Sequence, residues 1–253
     1  MPISGGLDSR LILGKLHERN FQNLKSFSYG MFNNSDALIG EKVAKKLDVP
    51  WKFIPISSSS YRDFYKSNLM KKYIKFSDNL QVMPNVQDLL VIKKMKKNNL
   101  LNKNSILING QSGDFNTGNH IPKELVENKN YKTFLNSIKK KHFFLIKQNK
   151  TKAADDLIDS ELMPFKDIYL QKKSNLVDLY EEWEYEERQV KYVVNGQRVY
   201  DFLGLDWILP LWDSLFVKFW TTVPEELRFE QKLYKLYLSE WNYKNLFSSG
   251  WKV

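Results

Sequence analysis

The sequence predicts an α/β protein in which a doubly wound parallel sheet is followed by a mainly helical lobe. Over the first 110 or so residues, short apolar runs alternate with longer amphipathic stretches, as they do in a parallel sheet covered by helices. Glycine-rich turns accompany two of these apolar runs. From about Pro122 onward glycine becomes scarce, and apolar residues recur with the period of a helix.

Three apolar runs are predicted to be strands, because each is four or five residues long and rich in Phe, Ile or Tyr. They lie at residues 25–29, 52–56 and 105–108. Between the first two, residues 36–47 place their apolar side chains on one helical face, and residues 84–97 predict a second crossover helix. The four serines at 57–60 stand where a strand gives way to a helix and are expected to cap it.

The chain is predicted to form one domain over residues 1–253, because no Pro-, Gly- or Ser-rich linker divides it. Residues 1–122 would be the α/β nucleotide-binding core, and residues 123–253 a helical lobe that completes the active site. The aromatic and acidic run at 181–188 is expected to be a structural helix. Trp207 and Trp212 are expected to lie in the core.

Composition excludes several classes of protein. With 253 residues, 42% of them hydrophobic, the chain can bury a substantial core. It has no cysteine, which excludes disulfides, thiolate–zinc sites and thiol nucleophiles. No stretch is long and apolar enough to cross a bilayer, and the first residues do not resemble a secretory signal, so a cytoplasmic location is expected.

The net charge of +10 leaves a polyanionic partner open. The lysine runs at 93–97 and 139–141, however, stand among asparagines, as on solvated helix faces. No helix-turn-helix, zinc-finger or aromatic RNA-binding signature accompanies them. Nucleic acid is therefore not the expected partner.

Residues 4–9, Ser-Gly-Gly-Leu-Asp-Ser, form a candidate phosphate-binding turn. Two glycines let the backbone turn tightly before a helical pattern begins, so that N–H groups and the positive end of the helix dipole would face an anion. Asp8 adds negative charge at this place, which favours a nucleotide bound with Mg²⁺. An ordinary turn with Asp8 or Ser9 as a helix cap is the alternative.

This hexapeptide resembles the pyrophosphate loop of the ATP pyrophosphatase families, and three further blocks resemble asparagine synthetase in particular. The run at 108–114, Ile-Asn-Gly-Gln-Ser-Gly-Asp, is similar to that family's Ser-Gly-Glu-Gly-X-Asp-Glu loop. Residues 209–213, Leu-Pro-Leu-Trp-Asp, resemble Val-Pro-Phe-Leu-Asp, and residues 231–235, Gln-Lys-Leu-Tyr-Lys, resemble Gly-Lys-X-X-Lys. The order and spacing of the blocks also agree.

The resemblance implies a role for each matching residue. The pyrophosphate would be held by Ser4, Gly5, Gly6, Asp8 and Ser9. The adenosine pocket would be lined by Ile3, Tyr29, Asn109 and Gly110. Asp8 and Asp114 would bind Mg²⁺ and act in catalysis, and Lys235 would stabilise the charge that develops on the α-phosphate.

The implied reaction has two steps and uses ATP and Mg²⁺. A substrate carboxylate would attack the α-phosphate and release pyrophosphate, and ammonia or another amine would then displace AMP from the acyl-adenylate. Cations and fixed positive donors must meet the growing charge, which the residues above would supply. The product would be asparagine or the amide of a sugar carboxylate, and the fold would be of the adenine nucleotide alpha hydrolase type.

The sequence also departs from the family. Gln111 stands where asparagine synthetase has a glutamate that acts on the amine, and glutamine cannot be a general base. Here the chain instead resembles asparagine-synthase-related proteins of surface-polysaccharide biosynthesis. His120 is either a substitute base or a hydrogen-bonding loop residue. Arg10 would reach a phosphate or pair with an acidic neighbour such as Asp36, and Arg198 is a candidate to face the substrate.

The glutaminase domain of glutamine-using asparagine synthetases is not present in the sequence, so ammonia would come from a separate or missing glutaminase. The strand that leads into the phosphate turn is cut to three residues, where about five are usual, and the chain is expected to be a fragment of a longer protein. Two other functions stay open. One is a nucleotide-binding relative without ligase activity, and the other is an adenylating enzyme that acts on RNA.

Overall fold

The computed structural model describes residues 1–78, 80–143, 152–172 and 175–248. In this part of the chain helix greatly exceeds strand, and every strand pairing is parallel. The predicted α/β class and the helical second half are confirmed.

The strands form two parallel pairs. Their bounds are β1 (Ser26–Gly30), β2 (Trp51–Pro55), β3 (Ile106–Ile108) and β4 (Asp206–Ile208). β1 pairs with β2 and β3 pairs with β4. A single doubly wound sheet is not confirmed, and it stays a prediction. The three predicted strands are each within one residue of an observed one.

The first three residues run beside β1 in the same direction. The Ile3 N–H donates to the Phe27 carbonyl at 2.9 Å, and the Phe27 N–H donates to the Met1 carbonyl at 3.0 Å. This short extended segment therefore delivers the glycine-rich turn to the edge where β1 ends.

Six helices belong to the first half of the chain. They are α1 (Leu7–Glu18), α2 (Ser35–Lys46), α3 (Ser58–Tyr65), α4 (Asn68–Ser77), α5 (Leu89–Lys97) and α6 (Gly113–Asn116). Ser57 caps α3 by accepting a hydrogen bond from the Ser60 N–H at 3.1 Å, as the serine run predicts. α5 begins at Leu89, later than predicted, because the Asn85 side chain accepts the Gln87 N–H at 3.0 Å and forms a local turn that competes with the helix.

The second half is helical, as predicted. Its helices are α7 (Lys123–Glu127), α8 (Tyr131–His142), α9 (Lys152–Glu161), α10 (Met163–Lys172), α11 (Leu176–Glu184), α12 (Arg198–Phe202), α13 (Ser214–Thr222), α14 (Glu225–Arg228) and α15 (Lys232–Trp241). The predicted helix at 181–188 spans the end of α11 and the start of a π-helical stretch, Tyr185–Val194.

Three apolar clusters hold these elements together. One joins α1 and α2 to α13 and α15, one packs β1, β2 and β3 against α5 and α12, and one lies among α7, α8 and α11. Trp207 and Trp212 are both half-buried. Trp207 packs against the second of these clusters, so its predicted core position is confirmed in part, whereas Trp212 belongs to none of the three and the prediction is wrong for it. Trp207 donates to Asp201 at 2.8 Å, and Trp212 stacks on Tyr185 with ring centroids 5.0 Å apart.

No helix in the described ranges is both long enough and apolar enough to cross a membrane.

Candidate active site

A cavity of about 390 Å³ opens where the first extended segment, β1 and β3 end. Ligands of parallel α/β folds bind at this edge. Eight of the nine predicted nucleotide contacts line the cavity, and the ninth, Gly5, lies in the same turn. The eight are Ile3, Ser4, Gly6, Asp8, Ser9, Tyr29, Asn109 and Gly110. The candidate substrate residue Gln111 lines it too.

The turn at residues 4–9 is held by its own side chains. The Ser4 N–H donates to Ser9 Oγ at 3.3 Å, the Gly6 N–H to Ser4 Oγ at 3.2 Å, and the Gly5 N–H to Asp36 Oδ1 at 3.1 Å. Gly6 is the N-cap of α1 and supplies no side-chain bond. The turn therefore delivers an uncapped helix start to the cavity, which suits an anion. Asp8 and Ser9 do not cap α1.

Arg10 supports this turn from behind. It is buried, and its guanidinium donates to the Gly5 carbonyl at 2.7 Å and to the Leu246 carbonyl at 2.9 Å. Neither predicted role, a phosphate contact or a pair with Asp36, matches this geometry. The bidentate guanidinium instead ties the phosphate turn to the C-terminal segment.

Two glycines bring the second loop against the first. A Cβ at residue 110 would lie 2.9 Å from the Ser9 backbone nitrogen, and one at residue 113 would lie 2.6 Å from Asp8 Cγ. Any larger residue would separate the loops. This packing brings the loop of Asp114 to Asp8, as the sequence predicts.

The ionised form of Asp8 is disfavoured by its surroundings. Burial raises the pKa of Asp8 to about 6, and the Asp114 carboxylate adds to the rise. The Tyr234 hydroxyl, which donates to Asp8 Oδ1 at 2.7 Å, acts in the opposite direction. A divalent cation beside the two carboxylates would relieve their repulsion.

His120 bridges Asp114 and a second carboxylate, Glu184. His120 Nε2 lies 3.0 Å from Asp114 Oδ2, and Nδ1 is hydrogen-bonded to Glu184 Oε1. Burial alone lowers the pKa of His120, but these two hydrogen bonds outweigh it and raise the pKa above its ordinary value. A ring that donates from both nitrogens has no lone pair for a base. Of the two predicted roles, the geometry matches the hydrogen-bonding loop residue.

Glu184 is the buried anchor of this cluster. Its side chain is 0% exposed, Lys141 Nζ donates to Oε2 at 2.7 Å, and Arg188 lies 3.6 Å from Oε1. Burial raises the pKa of Glu184, but His120 and Lys141 reverse the effect and lower it to about 2. The sequence did not single out Glu184, because a glutamate in an amphipathic acidic run is indistinguishable from a solvated one.

The residues present fit Mg²⁺ as a partner of a nucleotide. No group of three or more His, Cys, Asp or Glu side chains in the described residues is arranged to hold a metal ion. Asp8 and Asp114 alone would leave most positions open, as is usual for Mg²⁺ ions that are also bound by substrate phosphates. The raised pKa of Asp8, caused by burial and by Asp114, is the observation that favours a cation here.

A hydrogen-bonded network that the sequence did not predict lines the opposite wall. Asp88 accepts from the hydroxyls of Tyr29 and Tyr200, each at 2.6 Å. Tyr200 also accepts from Asn109 at 3.1 Å, and Tyr29 accepts from Gln87 at 2.9 Å. Two predicted adenosine contacts are thus fixed through one carboxylate. Asp88 precedes a helix, so in the sequence it resembles an ordinary cap.

Gln111 is held by a second amide. Gln197 Nε2 donates to Gln111 Oε1, and this leaves the Gln111 amide hydrogens as the donors it can offer to a ligand. Gln111 therefore presents a neutral donor at the place where the resemblance implies a glutamate.

Besides Gly5, four predicted site residues do not line the cavity: Asp114 and His120, which belong to the cluster around Glu184, and Lys235 and Arg198. Lys235 is exposed and donates to the Glu230 carbonyl at 2.7 Å, and it is its neighbour Tyr234 that contacts Asp8. Arg198 lies over the ring of Phe76, with its guanidinium carbon 4.7 Å from the centroid. Neither side chain lines the cavity.

Comparison with known proteins places this site in a family. No curated protein matched the chain. The family model described as asparagine synthase matches residues 1–244, which is nearly the whole chain and includes every cavity residue named above. The chain therefore belongs to the asparagine synthase family.

Proposed function

We propose that the chain is an ATP- and Mg²⁺-dependent ligase that activates a carboxylate as its adenylate, releases pyrophosphate and forms an amide with ammonia. Membership of the asparagine synthase family supports an ATP-dependent ligase in general. The observation that carries the finer proposal is the uncapped start of α1 beside the paired loops of Asp8 and Asp114. An anion cradle with two carboxylates suits a nucleotide phosphate and its cation.

In the first step a carboxylate oxygen of the substrate attacks the α-phosphorus, and the bond to pyrophosphate breaks. The N–H groups in the first turn of α1, which no side chain caps, would hold the departing phosphates. Mg²⁺, when bound by Asp8 and Asp114, supplies positive charge for them. Tyr29 and Asn109, held through Asp88 and Tyr200, would orient the nucleoside.

In the second step the amine nitrogen attacks the acyl carbon, AMP leaves, and the amine loses a proton. His120 is paired with Asp114 and Glu184, and Gln111 is neutral, so neither is suited to take that proton. Departing AMP carries negative charge and could accept it. The role of Lys235 on the α-phosphate stays a prediction, since its ammonium group points to the Glu230 carbonyl.

The test is exchange of labelled pyrophosphate into ATP in the presence of candidate carboxylates, L-aspartate and a uronic acid first. We expect carboxylate-dependent exchange that disappears in Asp8→Asn, with Asp63→Asn, an exposed aspartate on α3, as the matched control. No exchange with any carboxylate, from a folded protein that binds ATP, would refute adenylation.

A nucleotide-binding relative without ligase activity is the second candidate, and Gln111 is the observation that favours it. ATP binding in calorimetry without AMP formation would establish it. Consumption of ATP only when RNA is added would instead favour the adenylating enzyme that acts on RNA. The ammonia source, the cytoplasmic location and the relation to polysaccharide biosynthesis are further proposals that rest on the resemblance.

A further inference from the structure

A second cavity, of about 470 Å³, is bordered by the two residues that follow Asp114 in the chain. The side chains of Phe115 and Asn116 on α6 line it, together with residues of α11, α13 and α14. None of the residues that line the nucleotide cavity lines this one. It is therefore a separate site.

Buried polar atoms on its walls lack hydrogen-bond partners. Among the described residues, nothing accepts the N–H of Trp220 Nε1 or Arg228 Nε. Trp220 is 5% and Arg228 7% exposed, so water does not freely satisfy these donors. Because a buried donor without an acceptor is destabilising, two such donors beside a cavity indicate an absent acceptor.

The carboxylates on the same walls exceed the cations. Asp178, Glu181 and Glu182 line the cavity, and Arg228 is the one cationic side chain among the described residues that line it. Arg228 lies 2.6 Å from Asp178 and 3.1 Å from Glu181. Although Arg228 lies within ion-pair distance, Glu181 Oε2 accepts no well-aligned hydrogen bond. Burial raises the pKa of Glu181 to about 7, and neighbouring carboxylates add to the rise although Arg228 opposes it. A cation beside this group of carboxylates would therefore be stabilised, so the cavity favours a cationic ligand.

Aromatic rings add to this preference. Phe115, Tyr185 and Trp220 line the cavity, and Tyr185 is fixed from behind by its stack on Trp212. Ring faces attract ammonium groups, most strongly where water is excluded. Cavities of this size are typical of small-molecule sites.

We propose that this second cavity binds a small organic ammonium compound that also carries an oxygen acceptor. The ammonium group lies beside Glu181 and the rings, and the oxygen accepts from Arg228 Nε and Trp220 Nε1. The proposal does not depend on the ligase reaction, because no residue of the nucleotide cavity takes part in it.

The probes are three ring compounds of similar size: tyramine, with an ammonium group and a hydroxyl, phenethylamine, without the hydroxyl, and 4-propylphenol, without the ammonium group. Binding is measured by saturation-transfer NMR titration of the full chain without nucleotide. We expect tyramine to bind at least about tenfold more tightly than 4-propylphenol, because the ammonium group gains charged partners. Equal affinity would overturn the proposal.

Variants locate the binding. Glu181→Gln is expected to weaken tyramine about tenfold, and Trp220→Phe to weaken tyramine but not phenethylamine, which has no oxygen for the indole N–H. Glu186→Gln and Trp207→Phe, which change residues outside the cavity, are the matched controls and should bind as the unchanged chain does. Because Glu181 is partly buried, the exposed Glu182→Gln serves as a second variant that does not endanger folding, with an expected loss of two- to threefold. Tyramine affinity that is unchanged in all three test variants, Glu181→Gln, Trp220→Phe and Glu182→Gln, would refute the site, whether or not the chain proves to be a ligase.

Discussion

The hydroxyl of Tyr234 donates to Asp8 Oδ1 at 2.7 Å and joins residues that are 226 positions apart. Tyr234 lies on α15 and Asp8 in the first turn of α1, so the C-terminal helix orients a carboxylate of the N-terminal turn. Residues that hold a metal-binding carboxylate in place matter nearly as much as the carboxylate itself.

Tyr234→Phe should therefore raise the Mg²⁺ concentration needed for half-maximal pyrophosphate exchange by roughly 10–100-fold. The ring remains, so the packing of α15 should not change. The control is Tyr237→Phe on the same helix, where the side chain is exposed and stacks on Trp241. An unchanged Mg²⁺ dependence in Tyr234→Phe would contradict this role.

Asp8→Asn should stabilise the metal-free protein while abolishing exchange. Burial raises the pKa of Asp8 from 3.8 to about 6, so the ionised form is disfavoured in the folded state. The protonated Asp8 therefore contributes stability that is fully present below pH ~4 and is lost as the pH rises through about 6. Asparagine does not ionise, so the variant avoids that loss. Urea denaturation with a chelator should show a gain of about 1–3 kcal/mol at pH 8 and almost none at pH 4. A variant less stable than the unchanged chain at pH 8 would count against this reasoning.

Glu184→Gln should destabilise the chain by about 3–5 kcal/mol, because it leaves Lys141 and His120 without their buried counter-charge. In the unchanged chain, the contribution of Glu184 to stability changes with pH in the opposite direction to that of Asp8. The pKa of Glu184 is lowered to about 2, mainly by His120 and Lys141 against the effect of burial, so its contribution is present above pH ~4.5 and is lost as the pH falls toward 2. Glu187→Gln, an exposed pair with Lys191, should cost under about 1 kcal/mol. Denaturation curves at pH 7 measure the free energy of unfolding of the two variants, and equal losses in both would contradict the prediction.

Gly113→Ala should separate the two loops of the active site. The added methyl group would lie 2.6 Å from Asp8 Cγ and 2.4 Å from Leu211 Cδ1, both too close. We expect a loss of about 1–3 kcal/mol in stability and of roughly 100-fold in exchange rate. Gly204→Ala, at φ +66 with open space around it, should cost stability without affecting exchange. Similar exchange rates in the two variants would show that the close approach is unimportant.

Asp88→Asn should weaken ATP binding. The hydroxyls of Tyr29 and Tyr200 already accept from Gln87 and Asn109, so each must donate to residue 88, and an asparagine amide offers one oxygen for two donors. We expect a penalty of about 1–3 kcal/mol, seen as a higher ATP dissociation constant in calorimetry. Asp201→Asn, whose carboxylate accepts from Trp207 outside the cavity, is the control.

The features that the sequence predicted well are those that depend on residues close together along the chain. β1, β2, β3 and α2 were predicted to within about a residue, because periodicity and length define them locally, whereas β4 was not predicted. The glycine turns located the cavity because close backbone approach requires glycine. Asp88, Glu184 and Tyr234 escaped prediction for the opposite reason. Their contacts with site residues, Asp88 with Tyr29, Glu184 with His120 and Tyr234 with Asp8, each join residues that are 59 or more positions apart along the chain.

Lys235 and Arg198 show a related limit. A motif fixes which residue types follow one another, but adjacent positions on a helix point about 100° apart, so a shift of one position separates a buried contact from an exposed one. In α15 the inward position is Tyr234, and Lys235 is exposed.

The pairing of β3 with β4 has a further consequence, for the order in which the chain can fold during synthesis. Leu107 stands beside Trp207, 100 residues later, and most of the helical lobe is made between them. A ribosome must therefore make the chain as far as β4 before β3 can pair with it, and as far as α15 before Tyr234 can meet Asp8. Such distant pairings slow folding and leave an unpaired strand exposed in the meantime. We expect the nascent chain to bind nucleotide only after α15 has been made, so a product that stops before α15 would not sequester ATP.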